Sequence, residues 1–271
     1  MVTEVLWACL FTALCWWFGT GLILWLDRRP PQSFRLSLAC WTVLMVLSFA
    51  GVAWSMREVS VVRAYLAFGC VIVMWGWHEL AFLTGWITGP RKTALTPGAA
   101  GWPRLLESIQ VVLYHELALI LNFAVLWWMQ SDQPNHVAIC TYALLWCMRL
   151  SAKLNLFFGV PQTGAQYLPP HLTYLGSYFR RRRLTPWFVL SMSLAIGTWV
   201  WLVWLAGQGA VEITTGWVML ATLLGLAIVE HVIMIFPWPL ERLWGWAMTQ
   251  PLVPPPLAPP APDVHHERIQ F

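Results

Sequence analysis

Long apolar stretches with few charges run through this chain and constrain its fold more than any other feature. A helix needs roughly 20 apolar residues to cross the ~30 Å hydrocarbon layer of a bilayer. Of the 271 residues, 59% are hydrophobic and only 10% are charged. The stretches lie at about residues 5–26, 37–56, 61–86, 107–130, 136–158, 187–206 and 214–236. We therefore predict an all-α, polytopic membrane helix bundle with about seven transmembrane spans.

The basic residues lie mostly on one side of this predicted bundle. That side carries Arg28, Arg29, Arg35, Arg91, Lys92, Arg104, Lys153, Arg180 to Arg183, Arg242 and Arg268. The connections on the opposite side carry only Arg57 and Arg63. The positive-inside rule then places the N-terminus outside and the C-terminus in the cytoplasm, as expected for an inner-membrane protein. Because the basic residues border helices instead of lining one soluble face, nucleic acid is not an expected partner.

The chain is expected to form one membrane domain followed by a tail. Residues 1–250 are predicted to make a single transmembrane helical domain, whose first span is retained because the N-terminus lacks a basic region and a cleavage site. Residues 251–271 begin with a proline-rich run and are predicted to be a disordered cytoplasmic tail. The six cysteines lie in apolar runs without a Cys-x-x-Cys pair, which favours small buried side chains.

Three adjacent His–Glu pairs interrupt the spans, namely His78-Glu79, His115-Glu116 and Glu230-His231. At 1.5 Å per residue, all three lie roughly 9–12 Å below the cytoplasmic edge. Arg149 and Lys153 lie at a similar level and share a helix face. A charge at mid-bilayer costs about 2.5–3.5 kcal/mol, so such groups face the bundle interior and pair. The predicted polar intramembrane cluster comprises His78, Glu79, His115, Glu116, Arg149, Lys153, Asn155, Glu230 and His231.

Three interpretations of this cluster stay open. The first is a structural polar network that fixes the helix register. The second is an iron or zinc site, for which the candidate ligands are His78, Glu79, His115, Glu116, Glu230 and His231. Adjacent helix residues point ~100° apart, however, and the Glu-x-x-His spacing of di-iron bundles is absent. The third is a tetrapyrrole site, in which a histidine binds bacteriochlorophyll or haem.

Residues 149–183 combine basic residues, aromatic residues and prolines. They include Arg149-Leu-Ser-Ala-Lys-Leu-Asn155, Phe158-Gly-Val160, Leu168-Pro-Pro-His-Leu172 and Tyr174-Leu-Gly-Ser-Tyr-Phe-Arg180. These runs resemble the PuhE family of photosynthetic-complex assembly proteins of purple phototrophic bacteria. The resemblance implies a membrane-embedded assembly factor for the photosynthetic reaction centre and core light-harvesting complex. Such a factor acts as a non-catalytic scaffold or as a holder of pigments or subunits, with reaction-centre and core-antenna polypeptides as partners.

The end of this segment is predicted to form a surface for a partner, or a lid over the polar cluster. Its residues are His171, Tyr174, Tyr178, Arg180, Arg181, Arg182 and Arg183. The four consecutive arginines also anchor the chain and attract anionic membrane lipids, at about 1 kcal/mol each. Two other interpretations remain, the amphipathic surface segment and the docking ledge for a partner helix.

An enzyme is the alternative to a scaffold. In that case the chain is a membrane metal-dependent oxidoreductase, with iron or zinc, that acts on a tetrapyrrole, a quinone or a carotenoid. The sequence assigns no catalytic residue for such a reaction. A transporter is less favoured, because the chain shows no internal repeat.

Overall fold

The computed structural model describes residues 2–238 and 241–248, which form nine α-helices. They are α1 (Val2–Asp27), α2 (Pro31–Ser55), α3 (Val61–Leu83), α4 (Gly101–Gln110), α5 (Leu113–Met129), α6 (Val137–Phe158), α7 (Pro186–Ala206), α8 (Val211–Ile233) and α9 (Glu241–Met248). Two 3-10 helices, Ala165–Tyr167 and Pro170–Tyr178, lie between α6 and α7. The described residues contain no strand beyond one isolated bridge, so the all-α membrane bundle is confirmed. The predicted tail at 251–271 lies outside the described residues.

Within the described part of the chain, six helices are long and apolar enough to cross a membrane, and the bent pair α4–α5 gives a seventh crossing if it is counted as one span. The prediction of one continuous helix over 107–130 is wrong, because the two helices meet at 62°. The other predicted spans agree with the helices to within a few residues. We call the end of the bundle that carries Arg91 and Arg180 the basic end.

The bend arises where the connection between α3 and α4 enters the bundle. The backbone N–H of His115 donates to the carbonyl of Thr88, at 3.0 Å, and Thr88 is buried. Gly89 packs directly on the α4–α5 junction, where a Cβ atom would lie 1.9 Å from the carbonyl oxygen of Gln110. A chain segment that inserts into the helical hydrogen-bond ladder is a recognised cause of a kink. The connection therefore fixes where α5 begins.

Local sequence signals set the other helix ends. Pro31 and Pro186 occupy the first turns of α2 and α7, where proline removes no helical hydrogen bond. The hydroxyl groups of Ser60 and Thr185 cap α3 and α7 by accepting backbone N–H groups. Gly159 ends α6 at φ 124°, a conformation that favours glycine. These residues position the segments that surround the polar cluster.

Helix α3 is the most buried of the spans and packs against α1, α2, α6 and α8. Its first turns supply apolar side chains such as Phe68, Val71 and Met74 to two apolar clusters, one shared with α2, α5 and α6 and one with α1 and α8. Its last turns instead carry His78 and Glu79, both buried. The buried face of α3 is therefore apolar over its first turns and includes ionisable groups in its last turns.

We expect Gly89→Ala to destabilise the fold, because the added methyl group would overlap the backbone of the α4–α5 junction. Overpacking of this kind costs about 1–3 kcal/mol. The control is Gly197→Ala in α7, where a Cβ atom meets nothing within 4 Å. Thermal unfolding of both variants in detergent micelles measures the difference. Equal melting temperatures for the two variants would show that the junction can move aside.

Candidate functional site: a charged layer at the basic end

Two ion pairs join three helices inside the bundle. Arg149 of α6 lies 2.5 Å from the carboxylate of Glu79 in α3. Lys153, one turn further along α6, pairs with Glu116 in the first turn of α5. Arg149 and Lys153 share one face of α6 because they are four residues apart. Each cation therefore meets a carboxylate from a different neighbouring helix.

Both pairs are only partly shielded. The exposed fractions of the side chains are 38% for Arg149 and 11% for Glu79. They are 21% for both Lys153 and Glu116. The indole N–H of Trp146 adds a 3.4 Å hydrogen bond to the second oxygen of Glu116. Removing one partner of such a pair costs more than breaking a surface pair, because the remaining charge is left partly buried.

His78 belongs to a hydrogen-bonded group that does not include Glu79. The amide of Asn122 donates to Nε2 of His78 at 2.9 Å. The hydroxyl of Tyr142 lies 3.4 Å from the same nitrogen and donates to the carbonyl of Leu119 at 3.1 Å. This group links α3, α5 and α6 next to the ion pairs. Neighbouring residues on one helix thus contact different partners, as their ~100° separation requires.

His115 is the least satisfied side chain of the layer. It is 1% exposed, and neither ring nitrogen has a hydrogen-bond partner within residues 2–238 and 241–248. Its ring packs against Phe82, with centroids 4.7 Å apart, and lies 6.5 Å from the ring of His78. Burying a polar group without a partner costs about 1–3 kcal/mol. The surroundings of His115 are therefore those of an apolar side chain.

His231 and Asn155 form a separate group on the other side of α6. Nδ1 of His231 donates to the carbonyl of Ala227 at 2.9 Å, and the hydroxyl of Ser151 lies 3.0 Å from Nε2. The amide of Asn155 donates to Ser191 at 3.2 Å. These contacts tie α6 to α7 and α8. The two residues stay outside the ion-paired group.

Glu230 forms no salt bridge with any cation among the described residues. Its carboxylate accepts a 2.7 Å hydrogen bond from the indole N–H of Trp16 in α1. Arg149 and Glu79 lie close enough to act on it electrostatically. The residue is exposed, whereas its neighbour His231 is buried.

The donors do not converge on a point. Among the described residues, no group of three or more His, Cys, Asp or Glu side chains could hold a metal ion. Glu79 and Glu116 are each held by a cation, and the rings of His78 and His231 are each held by hydrogen bonds. The metal interpretation therefore lacks a ligand set in this part of the chain. The tetrapyrrole interpretation stays a prediction.

The 3-10 helix Pro170–Tyr178 covers the basic end of α3 and the α4–α5 bend, and we call it the cap. Leu172, Leu175 and Tyr178 are buried against Phe82 and Val111. Nε2 of His171 lies 2.8 Å from the carbonyl of Leu83 at the end of α3. Burial raises the pKa of the Tyr174 phenol above its ordinary value. This geometry matches a lid over the polar layer better than a free ledge.

Two arginines fasten the cap. Arg91 donates to the hydroxyl of Tyr178 at 2.8 Å and forms a 3.0 Å ion pair with Glu107. Arg104 is 4% exposed and donates to the carbonyls of Phe157 and Tyr178 at 2.8 and 2.9 Å. A guanidinium group that bridges two backbone carbonyls supplies several charge-assisted hydrogen bonds at once. Arg104 therefore joins the end of α6 to the end of the cap.

The arginine run after the cap is held in place by its backbone. Val160 pairs with Arg181 in an isolated parallel bridge, through hydrogen bonds with Arg180 and Arg182. The side chains of Arg181, Arg182 and Arg183 are exposed. None of them forms a salt bridge within the described residues. The run is therefore an ordered, uncompensated positive surface.

Sequence reasoning missed several residues that complete the layer. Asn122 follows His115 by seven residues, so both lie on one face of α5, and that spacing could have identified it. Tyr142 precedes Arg149 by the same interval on α6. Trp16 carried no signal, because it is one of 21 tryptophans. Arg104 was counted only as a topological charge, and its buried position depends on the bend before α5.

Comparison with known proteins gives one family and one relative. A family described as "Protein of unknown function (DUF3623)" matches residues 2–253. A protein of Rhodobacter capsulatus, described as "Uncharacterized 30.4 kDa protein in puhA 5'region", is 38% identical over 247 residues. The match covers 88% of this chain and 89% of the relative. No solved structure matches the chain at a significant level.

We expect Lys153→Met and Glu116→Gln each to lower the free energy of unfolding by about 2 kcal/mol, because each leaves a partly buried group without its partner. The double variant should lose less than the sum, by about 1 kcal/mol. Arg183→Met serves as the surface control, with a change within about 0.5 kcal/mol. Reversible unfolding in mixed micelles gives all four values. Additive losses would contradict a direct pairing.

We also expect the two buried histidines to respond differently to replacement by leucine. His231→Leu removes two hydrogen bonds and should cost about 1–2 kcal/mol. His115→Leu should leave the free energy of unfolding unchanged or increase it, since its ring nitrogens have no partner among the described residues. The same unfolding measurement compares them. A loss for His115→Leu as large as that for His231→Leu would show that its ring binds a polar group.

Proposed function

The chain belongs to the DUF3623 family, and we propose that it is a membrane-embedded assembly factor for the photosynthetic apparatus. The observation that carries this proposal is the relative from Rhodobacter capsulatus, whose description places it in the puhA 5′ region. That likeness extends over most of both chains. It agrees with the resemblance of residues 149–180 to the PuhE family.

In this proposal the chain acts in the inner, or intracytoplasmic, membrane of a purple bacterium. Its clients are polypeptides of the reaction centre and the core light-harvesting complex, or the bacteriochlorophyll that they take up. The chain holds a client until it combines with the next component and does no chemistry on it. Membrane lipids bind the exposed arginines after the cap.

The charged layer supports a scaffold more than an enzyme. Its cations are already paired with carboxylates of the same chain, as Arg149 is with Glu79 and Lys153 with Glu116. His78 and His231 are hydrogen-bonded to neighbouring side chains. Groups engaged in this way hold helices in register. The partners of the cluster therefore favour a structural role.

The function can be tested in a Rhodobacter capsulatus strain that lacks the 38% identical relative. We expect the near-infrared absorbance of the membrane pigment–protein complexes to fall in this strain and to return when the present chain is expressed. The Gly197→Ala variant, which keeps the packing of α7, is the matched expression control. Unchanged absorbance in the deletion strain would overturn the proposal.

The purified, affinity-tagged chain separates a scaffold from the enzyme alternative. We expect reaction-centre or core-antenna polypeptides to co-purify with it from membranes, but not with an unrelated polytopic protein that carries the same tag. Elemental analysis of the same sample measures iron and zinc. A stoichiometric metal that is lost in the His115→Leu variant would overturn the non-catalytic proposal and favour an oxidoreductase.

A further inference from the structure

The end of α8 near Glu230 is left uncovered by the described residues. From Thr214 to Ala227 no residue of α8 is exposed, because neighbouring helices enclose this part. From Val229 onward, several residues of α8 and of the segment after it are exposed. Val229, Val232 and Phe236 are 51%, 38% and 61% exposed.

Val229 and Val232 lie on one face of α8 because they are three residues apart, and Phe236 follows just beyond the end of the helix. We call these three residues the apolar stripe. Glu230 lies at the edge of the stripe, next to Trp16 of α1. Glu230 is the exposed ionisable residue on this part of α8, whereas His231 is buried. An apolar surface of a membrane helix thus carries one exposed carboxylate.

Charge counting shows what is missing. The layer has three carboxylates, Glu79, Glu116 and Glu230, but only two cations, Arg149 and Lys153. Both cations are committed to the first two carboxylates. Glu230 receives a single neutral donor, the indole of Trp16. A carboxylate at membrane depth normally pairs with a basic group, and among the described residues none forms a salt bridge with it.

We propose that this end of α8 is the docking site for a transmembrane helix of another polypeptide, which places a lysine or arginine against Glu230. The apolar stripe would pack against the partner helix, and the basic residue would supply the missing charge. Interfaces of this kind combine close packing with a polar contact that fixes partner and depth. The inference rests on the proposed function only in that the client is a membrane polypeptide.

A second copy of the chain is a poorer occupant. A second copy would need an unpaired basic residue in a span at the basic end. Among the described residues, that residue is Arg35 in the first turn of α2. A symmetric dimer would have to bring α2 of each copy to α8 of the other. In one chain α1 and α3 pack against α8, whereas α2 packs chiefly against α3. Arg35 on α2 and Glu230 on α8 therefore do not belong to one continuous patch, as a symmetric dimer would require.

The test uses the full-length chain in nanodiscs of phosphatidylcholine and a synthetic leucine–alanine transmembrane peptide. The peptide carries a lysine one turn inside each end, and its matched control carries norleucine at both positions. Fluorescence energy transfer measures the affinity of each peptide within the bilayer. We expect the lysine peptide to bind about tenfold more tightly to the unmodified chain.

Variants of one helix make the result specific. Glu230→Gln should abolish the preference for lysine, and Glu230→Lys should replace it with a preference for a glutamate peptide. Glu212→Gln, at the other end of α8 and also exposed, should retain the preference for lysine. Equal affinities for the two peptides, or a preference that survives in Glu230→Gln, would overturn the proposal.

Two further measurements decide between occupants. Counting of bleaching steps in single nanodiscs without peptide reports self-association, and a dimer that Glu230→Gln disrupts would assign the site to a second copy. Loss of the lysine preference when phosphatidylethanolamine is added would assign Glu230 to a lipid headgroup. Either result overturns the proposal.

The same variant separates this inference from the proposed function. If photosynthetic polypeptides co-purify equally well with the Glu230→Gln chain, the docking site is wrong and the assembly role stands. If the peptide preference holds but no photosynthetic polypeptide co-purifies, the assembly role is wrong and the docking site stands.

Discussion

Placing a charge in hydrocarbon is so unfavourable that it organises this end of the bundle. Arg149 and Lys153 cannot remain single within the membrane, so α6 must bring them to Glu79 of α3 and Glu116 of α5. Apolar packing alone allows helices to slide or rotate against one another. Two ion pairs on one face of α6 fix both its rotation and its depth relative to two neighbours.

The contacts around these pairs extend the same order outward. Three further sets of contacts each connect different helices. They are the group around His78, the serine contacts of His231 and Asn155, and the two guanidinium groups under the cap. The cap then closes the basic end with a small apolar cluster of its own. The opposite end of α3 relies instead on side chains such as Phe68 and Met74. The polar contacts at the basic end thus fix which helices pair, whereas the apolar contacts of the first turns of α3 do not select particular partners.

Hydropathy sufficed to predict the spans other than α4–α5, and helical rise predicted a shared level for the ionisable residues. They did so because both quantities depend only on position along a helix. The bend before α5 could not be predicted in this way, since Val111 and Val112 are as apolar as a continuous span requires. Its cause is the connection at Thr88 and Gly89, which is distant in sequence. Which carboxylate meets which cation, and that Glu230 meets neither, depends on the order of helices, which periodicity does not encode.

The bent pair also bears on how the membrane inserts this chain. In the first turn of α5, the backbone N–H of His115 donates to the carbonyl of Thr88, which follows α3. A translocon that released α5 into lipid alone would expose that N–H group, together with the carboxylate of Glu116, to hydrocarbon. Helices α3 and α5 are therefore expected to leave the translocon as one hairpin. The carboxylate of Glu116 would then stay unpaired until α6 inserts and brings Lys153 next to it.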